Sequence, residues 1–174
     1  MRAIAAISRN LGIGRDNDLL FHIPEDLAFF RAQTAGQTII IGRKNLESFP
    51  GGRPLPNRRH LVLTTQKAYS AEGIECFHSV HELLLTLRNL PADCLWVCGG
   101  GIVYRELLPY CEEALVTIVD AAPEATVFFP DLAAEEGWEL TKEGEWKVWE
   151  GLRYRFCTYT NRQPQPLPER DSER

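Results

Sequence analysis

No stretch of this 174-residue chain approaches the roughly 20 consecutive apolar residues that a membrane-spanning helix needs. The apolar run at the start, Met1-Arg2-Ala3-Ile4-Ala5-Ala6-Ile7, meets Ser8-Arg9-Asn10 too soon to read as a signal peptide, so the expected compartment is the cytoplasm. A basic excess is also missing. Nineteen Lys and Arg stand against 24 Asp and Glu, a net charge of −5, which argues against a nucleic-acid binder but leaves room for a local cluster that holds a small anion. The five cysteines (Cys76, Cys94, Cys98, Cys111 and Cys157) contain no Cys-x-x-Cys spacing. They read as reduced, mostly buried thiols, and no metal site is expected. There is no internal repeat, no Pro/Ser-rich linker, no P-loop and no compelling Ser/His/acid or Cys/His set. His22 and Asp26 stand four apart, but two ligands do not make a metal site.

What is present is ordinary for a globular protein: 44% apolar and 25% charged residues, in a length that suits about one domain. The one composition shift is at the end, where 161–174 carries three prolines and mixed charges and is expected to be a mobile tail behind a domain spanning 1–160.

Along that domain, apolar runs alternate with helix-like stretches. Ala3 to Ile7, Thr38 to Ile41, His60 to Thr64, Ile74 to His78, Leu95 to Cys98 and Leu115 to Ala121 read as strands, several of them apolar on both faces. Pro24 to Gln33, Arg43 to Phe49, Val80 to Leu90 and Ile102 to Leu108 read as helices, the first with Pro leading and two acids in its first turn, the third with Ser79 as N-cap. Trp138 to Tyr159 alternates apolar and polar positions around Gly151, as an antiparallel hairpin does. The expected fold is a single-domain α/β structure: a central, mostly parallel mixed sheet closed by a C-terminal antiparallel hairpin and flanked by helices.

Several local patterns carry chemistry. On a helix from Pro24, Asp26 shares a face with Ile23, Leu27, Phe30 and Thr34. A carboxylate in an apolar stripe is costly unless partnered, and it suits a cationic or amidine-like group or a tuned proton affinity. Gly42-Arg43-Lys44 puts two cations at a helix start, against the helix dipole, an arrangement that makes sense if an anion sits there; a solvated basic turn is the plainer reading. Gly99-Gly100-Gly101 joins a buried strand to a helix, where backbone amides can approach phosphates, or simply makes a tight turn. The Gly/Pro-rich loop from Pro50 to Arg59 holds Arg53, Arg58 and Arg59, side chains suited to gripping a carboxylate but equally at home on a charged surface. Ser8 to Ile23 lacks strong periodicity, as an active-site lid does.

In order and spacing, Gly12-Ile13-Gly14 with Asn17, Phe21-His22-Ile23-Pro24-Glu25-Asp26-Leu27, Gly42-Arg43, Glu47-Ser48, Arg53-Pro54-Leu55-Pro56-Asn57-Arg58, Gly99-Gly100-Gly101 with Val103-Tyr104, and Phe129-Pro130 resemble the dihydrofolate reductases of bacteria. The resemblance runs from Ile4 to about Tyr159. It implies NADPH-dependent reduction of 7,8-dihydrofolate to tetrahydrofolate, with hydride added at pterin C6 and a proton at N5, in support of one-carbon metabolism. It implies that Asp26 binds the pterin's 2-amino group and N3, that Thr117 supports this carboxylate, and that Phe21 belongs to the catalytic set. Ile4, Ala5, Leu27, Phe30, Phe49, Leu55, Cys98 and Tyr104 would surround the substrate, and Arg58 would hold its glutamate α-carboxylate. For the cofactor it implies Ala6, Ile13 and Leu19 at the nicotinamide. Gly42, Arg43, Lys44, Asn45, Leu63, Thr64 and Thr65 would lie along the 2′-phosphate side, with Gly99, Gly100, Gly101, Ile102 and Val103 at the pyrophosphate. The Gly99–Gly100 bond is expected to be cis, antifolates are expected ligands, and a monomer is the expected state.

The chain also departs from the family pattern. Phe21 stands where many members have Trp, Leu20 replaces a frequent Pro, and Asn45 replaces a common Thr. Thr126-Val127 removes a carboxylate from before the Phe128-Phe129-Pro130 run, and Ile102 stands where some members carry Arg. The competing readings are a reductase of the same fold acting on another heterocycle, such as a pyrimidine of riboflavin synthesis, and a non-catalytic binder of NADPH or folate. Asp26, Phe30 and Arg58 together favour folate.

Overall fold

The computed structural model describes residues 1–169. The strands in chain order are β1 (Arg2–Ser8), β2 (Gly12–Arg15), β3 (Asp18–Leu19), β4 (Thr38–Gly42), β5 (Arg59–Leu63), β6 (Ile74–Phe77), β7 (Leu95–Gly99), β8 (Glu113–Val119), β9 (Val127–Phe128), β10 (Trp138–Glu143), β11 (Lys147–Trp149) and β12 (Leu152–Asn161). The helices are α1 (Pro24–Thr34), α2 (Arg43–Ser48), α3 (Val80–Leu87) and α4 (Gly101–Leu107).

The main sheet runs β10-β12-β8-β1-β7-β4-β5-β6, with β11 paired to β12. From β8 through β6 every neighbour is parallel, and β12 closes the sheet antiparallel to β8 and β10. This is the mixed α/β architecture expected from the sequence. Its parallel strands are covered on both sides because their side chains alternate between two cores. Ile39, Ile41, Ile4, Val62 and Trp96 face one core, where Leu46 of α2 and Phe29 and Phe30 of α1 pack. Ile40, Ala3, Leu61 and Val97 face the other, with Leu83 and Leu87 of α3 and Val103 and Leu107 of α4.

The chain leaves β1, winds outward through β4, β5 and β6, and returns to insert β7 between β1 and β4. The carboxyl ends of β1, β4, β5 and β7 therefore share one edge of the sheet, the usual position of a ligand crevice in α/β folds. The expected hairpin turns at Glu150-Gly151, both at positive φ (46° and 79°) as a two-residue type I′ turn requires.

The stretch from Ser8 to Ile23 holds structure that the lack of periodicity hid. It forms a hairpin, β2–β3, turning at Asp16 and Asn17 (φ 50° and 58°), and β2 also pairs with β9 to make a separate three-stranded sheet. The segment expected to be a tail lies against the domain as far as it is described. Asn161 donates through Nδ2 to the Cys111 carbonyl at 3.0 Å, Gln165 N–H donates to the Pro109 carbonyl at 2.8 Å, and Leu167 packs on the larger core. Residues 170–174 of that expected tail fall outside the described residues. Among the described residues no helix is long and apolar enough to cross a membrane, and the five cysteines are free.

Candidate active site

Asp26 sits on the inward side of the first turn of α1. Its helix has Ile23 as N-cap, with no side-chain cap bond, and begins at Pro24. The stripe expected around it is real: Ile23 and Thr34 are buried, and Asp26, Leu27 and Phe30 are half-buried between them. The Thr117 hydroxyl of β8 donates to Asp26 Oδ1 at 2.6 Å. Burial pushes the Asp26 carboxyl above its ordinary range, and the Thr117 bond draws it partly back. A carboxylate in this setting can bind an amino-heterocycle by accepting two parallel hydrogen bonds, and its proton affinity is higher than that of an exposed carboxylate.

Around it the structure gathers most of the substrate wall expected from the resemblance. Ile4, Phe30, Phe49, Leu55 and Cys98 belong to one apolar cluster. Cys98 bears a thiol whose burial pushes its proton affinity far up, so it acts as apolar wall. Tyr104 is buried, and its hydroxyl donates to the Ile4 carbonyl at 2.6 Å, bridging the two cores within β1. Ala5 is placed differently: strand alternation puts its side chain with Ala3 and Ile7 on the opposite face from Ile4, so only its backbone can border the Ile4 side. Phe21 is buried with Ile23, Val119 and Tyr154, under the lid's junction with α1, and supplies apolar packing without a polar atom.

Arg58 is held in a fixed pose. Its Nε donates to Thr34 Oγ1 at 2.9 Å and its Nη1 to the Pro56 carbonyl at 2.7 Å. Sequence reasoning missed what organises this loop. His60 is 1% exposed, its Nε2 accepts the Leu55 N–H at 3.0 Å, and its Nδ1 lies 3.1 Å from the Arg58 carbonyl. Because Nε2 accepts, Nδ1 carries the proton and donates, and burial favours this neutral ring. One histidine thus fixes both Leu55 and Arg58. A histidine inside an otherwise apolar strand was the available signal.

The second half of the crevice lies at the ends of β4, β5 and β7. The Gly99–Gly100 peptide bond is cis. Gly99 has φ +115°, open only to glycine, and a Cβ there would stand 2.9 Å from Asn45 Nδ2. Asn45 ties α2 to β7 by donating from Nδ2 to the Cys98 carbonyl at 3.0 Å. A Cβ on Gly100 would meet nothing within 4 Å, so the strand end is open, and across it Gly42 comes close enough that its own Cβ would lie 3.9 Å from Gly100 N. The first intrahelical bond of α4 runs from Tyr104 N–H to the Gly100 carbonyl at 3.0 Å, which leaves the amides before it facing this open edge. Arg43 is oriented by Glu47 (Nη1 to Oε1, 2.7 Å), Lys44 is exposed, Thr64 is buried and Thr65 is exposed. Two cations, two hydroxyls and free amides at adjacent strand ends suit a ligand with two anionic regions.

The lid edges this crevice. Ile13 is buried against the larger core, whereas Leu19 is 51% and Ile102 65% exposed on its rim. Thr126 N–H donates to the Gly14 carbonyl at 3.0 Å, and Phe129 N–H to the Leu11 carbonyl at 2.8 Å. Where the sequence lacks the carboxylate before Phe128, the lid is docked by backbone pairing between β2 and β9.

A sequence profile of the dihydrofolate reductase family matches residues 1–162. The chain is 38% identical over 157 residues to dihydrofolate reductase of Neisseria meningitidis serogroup B, covering 90% of this chain and 94% of that one. It is 40% identical over 152 residues to the Mycobacterium leprae enzyme, covering 84% and 89%. Among solved structures it is similar to dihydrofolate reductase from Enterococcus faecalis complexed with NADP(H) and RAB-propyl, at TM-score 0.81 and 34% identity, covering 91% and 94% of the two chains.

Proposed function

The chain belongs to the dihydrofolate reductase family and reduces dihydrofolate with NADPH, and on that premise we propose that Asp26, held by Thr117, binds the pterin and governs its protonation. The observation that carries this reading is the Asp26 carboxyl, half-buried on the apolar stripe of α1 and bonded to Thr117.

When bound, NADPH supplies the hydride. The residues present fit it: the open edge over Gly100 and the amides at the start of α4 suit the pyrophosphate, and Arg43, Lys44, Thr64 and Thr65 suit the 2′-phosphate. This chain's work is to align and to exclude water. Asp26 accepts hydrogen bonds from the 2-amino group and N3 and fixes the ring's tautomer, so that N5 takes its proton from a nearby water. Ile4, Phe30 and Cys98 form the apolar wall that keeps the ring in place. Phe49 and Leu55 flank the benzoyl group, and Arg58 receives the glutamate α-carboxylate. Leu19 and the backbone-docked lid cover the nicotinamide side. The same carboxyl suits a diaminopyrimidine antifolate. A monomeric, cytoplasmic enzyme completes the reading.

Two substitutions test the binding assignments. Arg58→Leu is expected to raise KM for dihydrofolate by about 10–100-fold with kcat little changed, since a charge-assisted bidentate contact is lost in ground and transition state alike. Arg43→Gln is expected to raise KM for NADPH by about tenfold while leaving KM for NADH nearly unchanged, because only the former carries the 2′-phosphate. Steady-state kinetics with each cofactor reads both. An equal effect on NADPH and NADH counts against the placement of Arg43.

A further inference from the structure

Glu25 and Asp26 are consecutive in the first turn of α1, and each is gripped from a different strand. Asp26 accepts the Thr117 hydroxyl of β8. Glu25 accepts the Tyr154 hydroxyl of β12 on one oxygen and the Lys147 ammonium of β11 on the other. The sheet register sets Phe156 opposite Thr117 and Tyr154 opposite Val119, so the two grips lie on paired strands two residues apart. One helical turn after Glu25, Phe29 meets Phe156 with ring centroids 4.7 Å apart, and the Lys147 ammonium lies 5.5 Å from the centre of the Phe156 ring. The start of α1 has no side-chain cap, so these contacts fix its first turn.

We propose that Glu25, Lys147 and Tyr154 form a clamp that positions Asp26 and, by balancing one negative with one positive charge beside it, tunes its proton affinity. This rests on Asp26 being the pterin-binding carboxyl.

The titratable groups around Asp26 come from four elements. Glu25 precedes it on its own helix, Lys147 on β11 pairs with Glu25, and the phenols of Tyr154 on β12 and Tyr104 on α4 both feel the Asp26 charge. Both phenols stay neutral, Tyr154 pushed up to about 12 chiefly by its bond to Glu25 and Tyr104 pushed up by burial. The Lys147 and Tyr154 bonds hold Glu25 below the usual carboxylate range, so it is ionised and paired near neutral pH. The clamp is therefore neutral as a pair and charged when either member is removed. The two single neutralisations are expected to act on Asp26 with opposite signs, which a purely structural anchor would not do. Glu25 and Lys147 are each about half exposed (46%), so the effect is screened and falls with added salt.

The test is kcat/KM for dihydrofolate against pH in the wild type, Glu25→Gln, Lys147→Met, the double variant, Tyr154→Phe and Asp26→Asn. The informative midpoint is the one that disappears in Asp26→Asn. Glu25→Gln leaves Lys147 unopposed and is expected to move it to lower pH by about 0.3–0.7 unit, and Lys147→Met leaves Glu25 unopposed and is expected to move it up by about as much. Both shifts shrink in high salt, and the double variant, with the wild-type net charge, returns close to the wild-type midpoint. Tyr154→Phe loosens the turn without changing charge and is expected to raise KM for dihydrofolate by about two- to fivefold, with a smaller shift. Shifts of the same sign, or no shift in either single variant, overturn the clamp. Full activity in Asp26→Asn overturns the functional reading beneath it, a separate outcome.

Discussion

Asp26→Asn is expected to lower kcat/KM for dihydrofolate by about 10²–10⁴-fold at neutral pH and to raise the melting temperature of the ligand-free protein. The two effects have one cause. The carboxyl is kept in an apolar wall with one hydroxyl partner, and burial pushes its proton affinity above the ordinary value of 3.8. A folded-state value above the unfolded one means that the folded protein binds more protons between the two. Stability therefore falls as pH rises from the unfolded value through the folded one, and the cost persists above that window. Asn keeps an oxygen for Thr117 but carries no charge to bury, so the variant escapes that cost. Thermal melts of both proteins from pH 4 to 8 should show the variant's advantage at pH 7–8 shrinking towards pH 4. A variant that is both fully active and less stable at pH 7 would show that Asp26 is an ordinary helix-start acid.

Gly99→Ala is expected to cost about 2–4 kcal/mol of stability and to weaken NADPH binding by at least about tenfold. At φ +115° a Cβ is strained before it meets any neighbour. It would then stand 2.9 Å from Asn45 Nδ2 and 3.1 Å from the Tyr104 ring. Asn45 holds the Cys98 carbonyl, and Tyr104 holds the Ile4 carbonyl at 2.6 Å, so the added methyl pushes on two bonds that join the cofactor edge to the substrate wall. Gly100→Ala offers the contrast, because a Cβ there meets nothing within 4 Å of the protein and intrudes only on the open edge. Denaturant unfolding and NADPH titration of the two variants separate the effects. A Gly99→Ala protein as stable as wild type contradicts this account of β7.

The parts of this molecule that the sequence made legible are those whose signal is local. Ile39, Ile40 and Ile41 are apolar on both faces because α2 covers one side of β4 and the helices of the larger core cover the other. Gly151 marked the hairpin because its turn needs positive φ. Asp26 stood out because a carboxylate had no reason to lie on an apolar stripe without a partner, and its partner proved to be Thr117.

What was hidden is long-range or too short to have a period. The strands β3 and β9 have two residues each and are defined by pairing, not by pattern. Glu25 meets Lys147 and Tyr154 across 122 and 129 residues, and no spacing announces such contacts. The stretch after Asn161 looked disordered by composition, yet one leucine, Leu167, and the backbone of Gln165 are enough to lay it on the domain. His60 read as one more strand residue because its two hydrogen bonds go to backbone atoms of a loop whose path only the fold supplies.

Dihydrofolate reduction through Asp26 is tested by following the oxidation of NADPH by the purified protein and its Asp26→Asn variant in the presence of 7,8-dihydrofolate, with NADH run in parallel. Rapid turnover, marked preference for NADPH, and dependence on Asp26 are expected. A well-folded protein that binds NADPH yet leaves it unoxidised with dihydrofolate would contradict this assignment, and the crevice would then have to serve another reducible heterocycle.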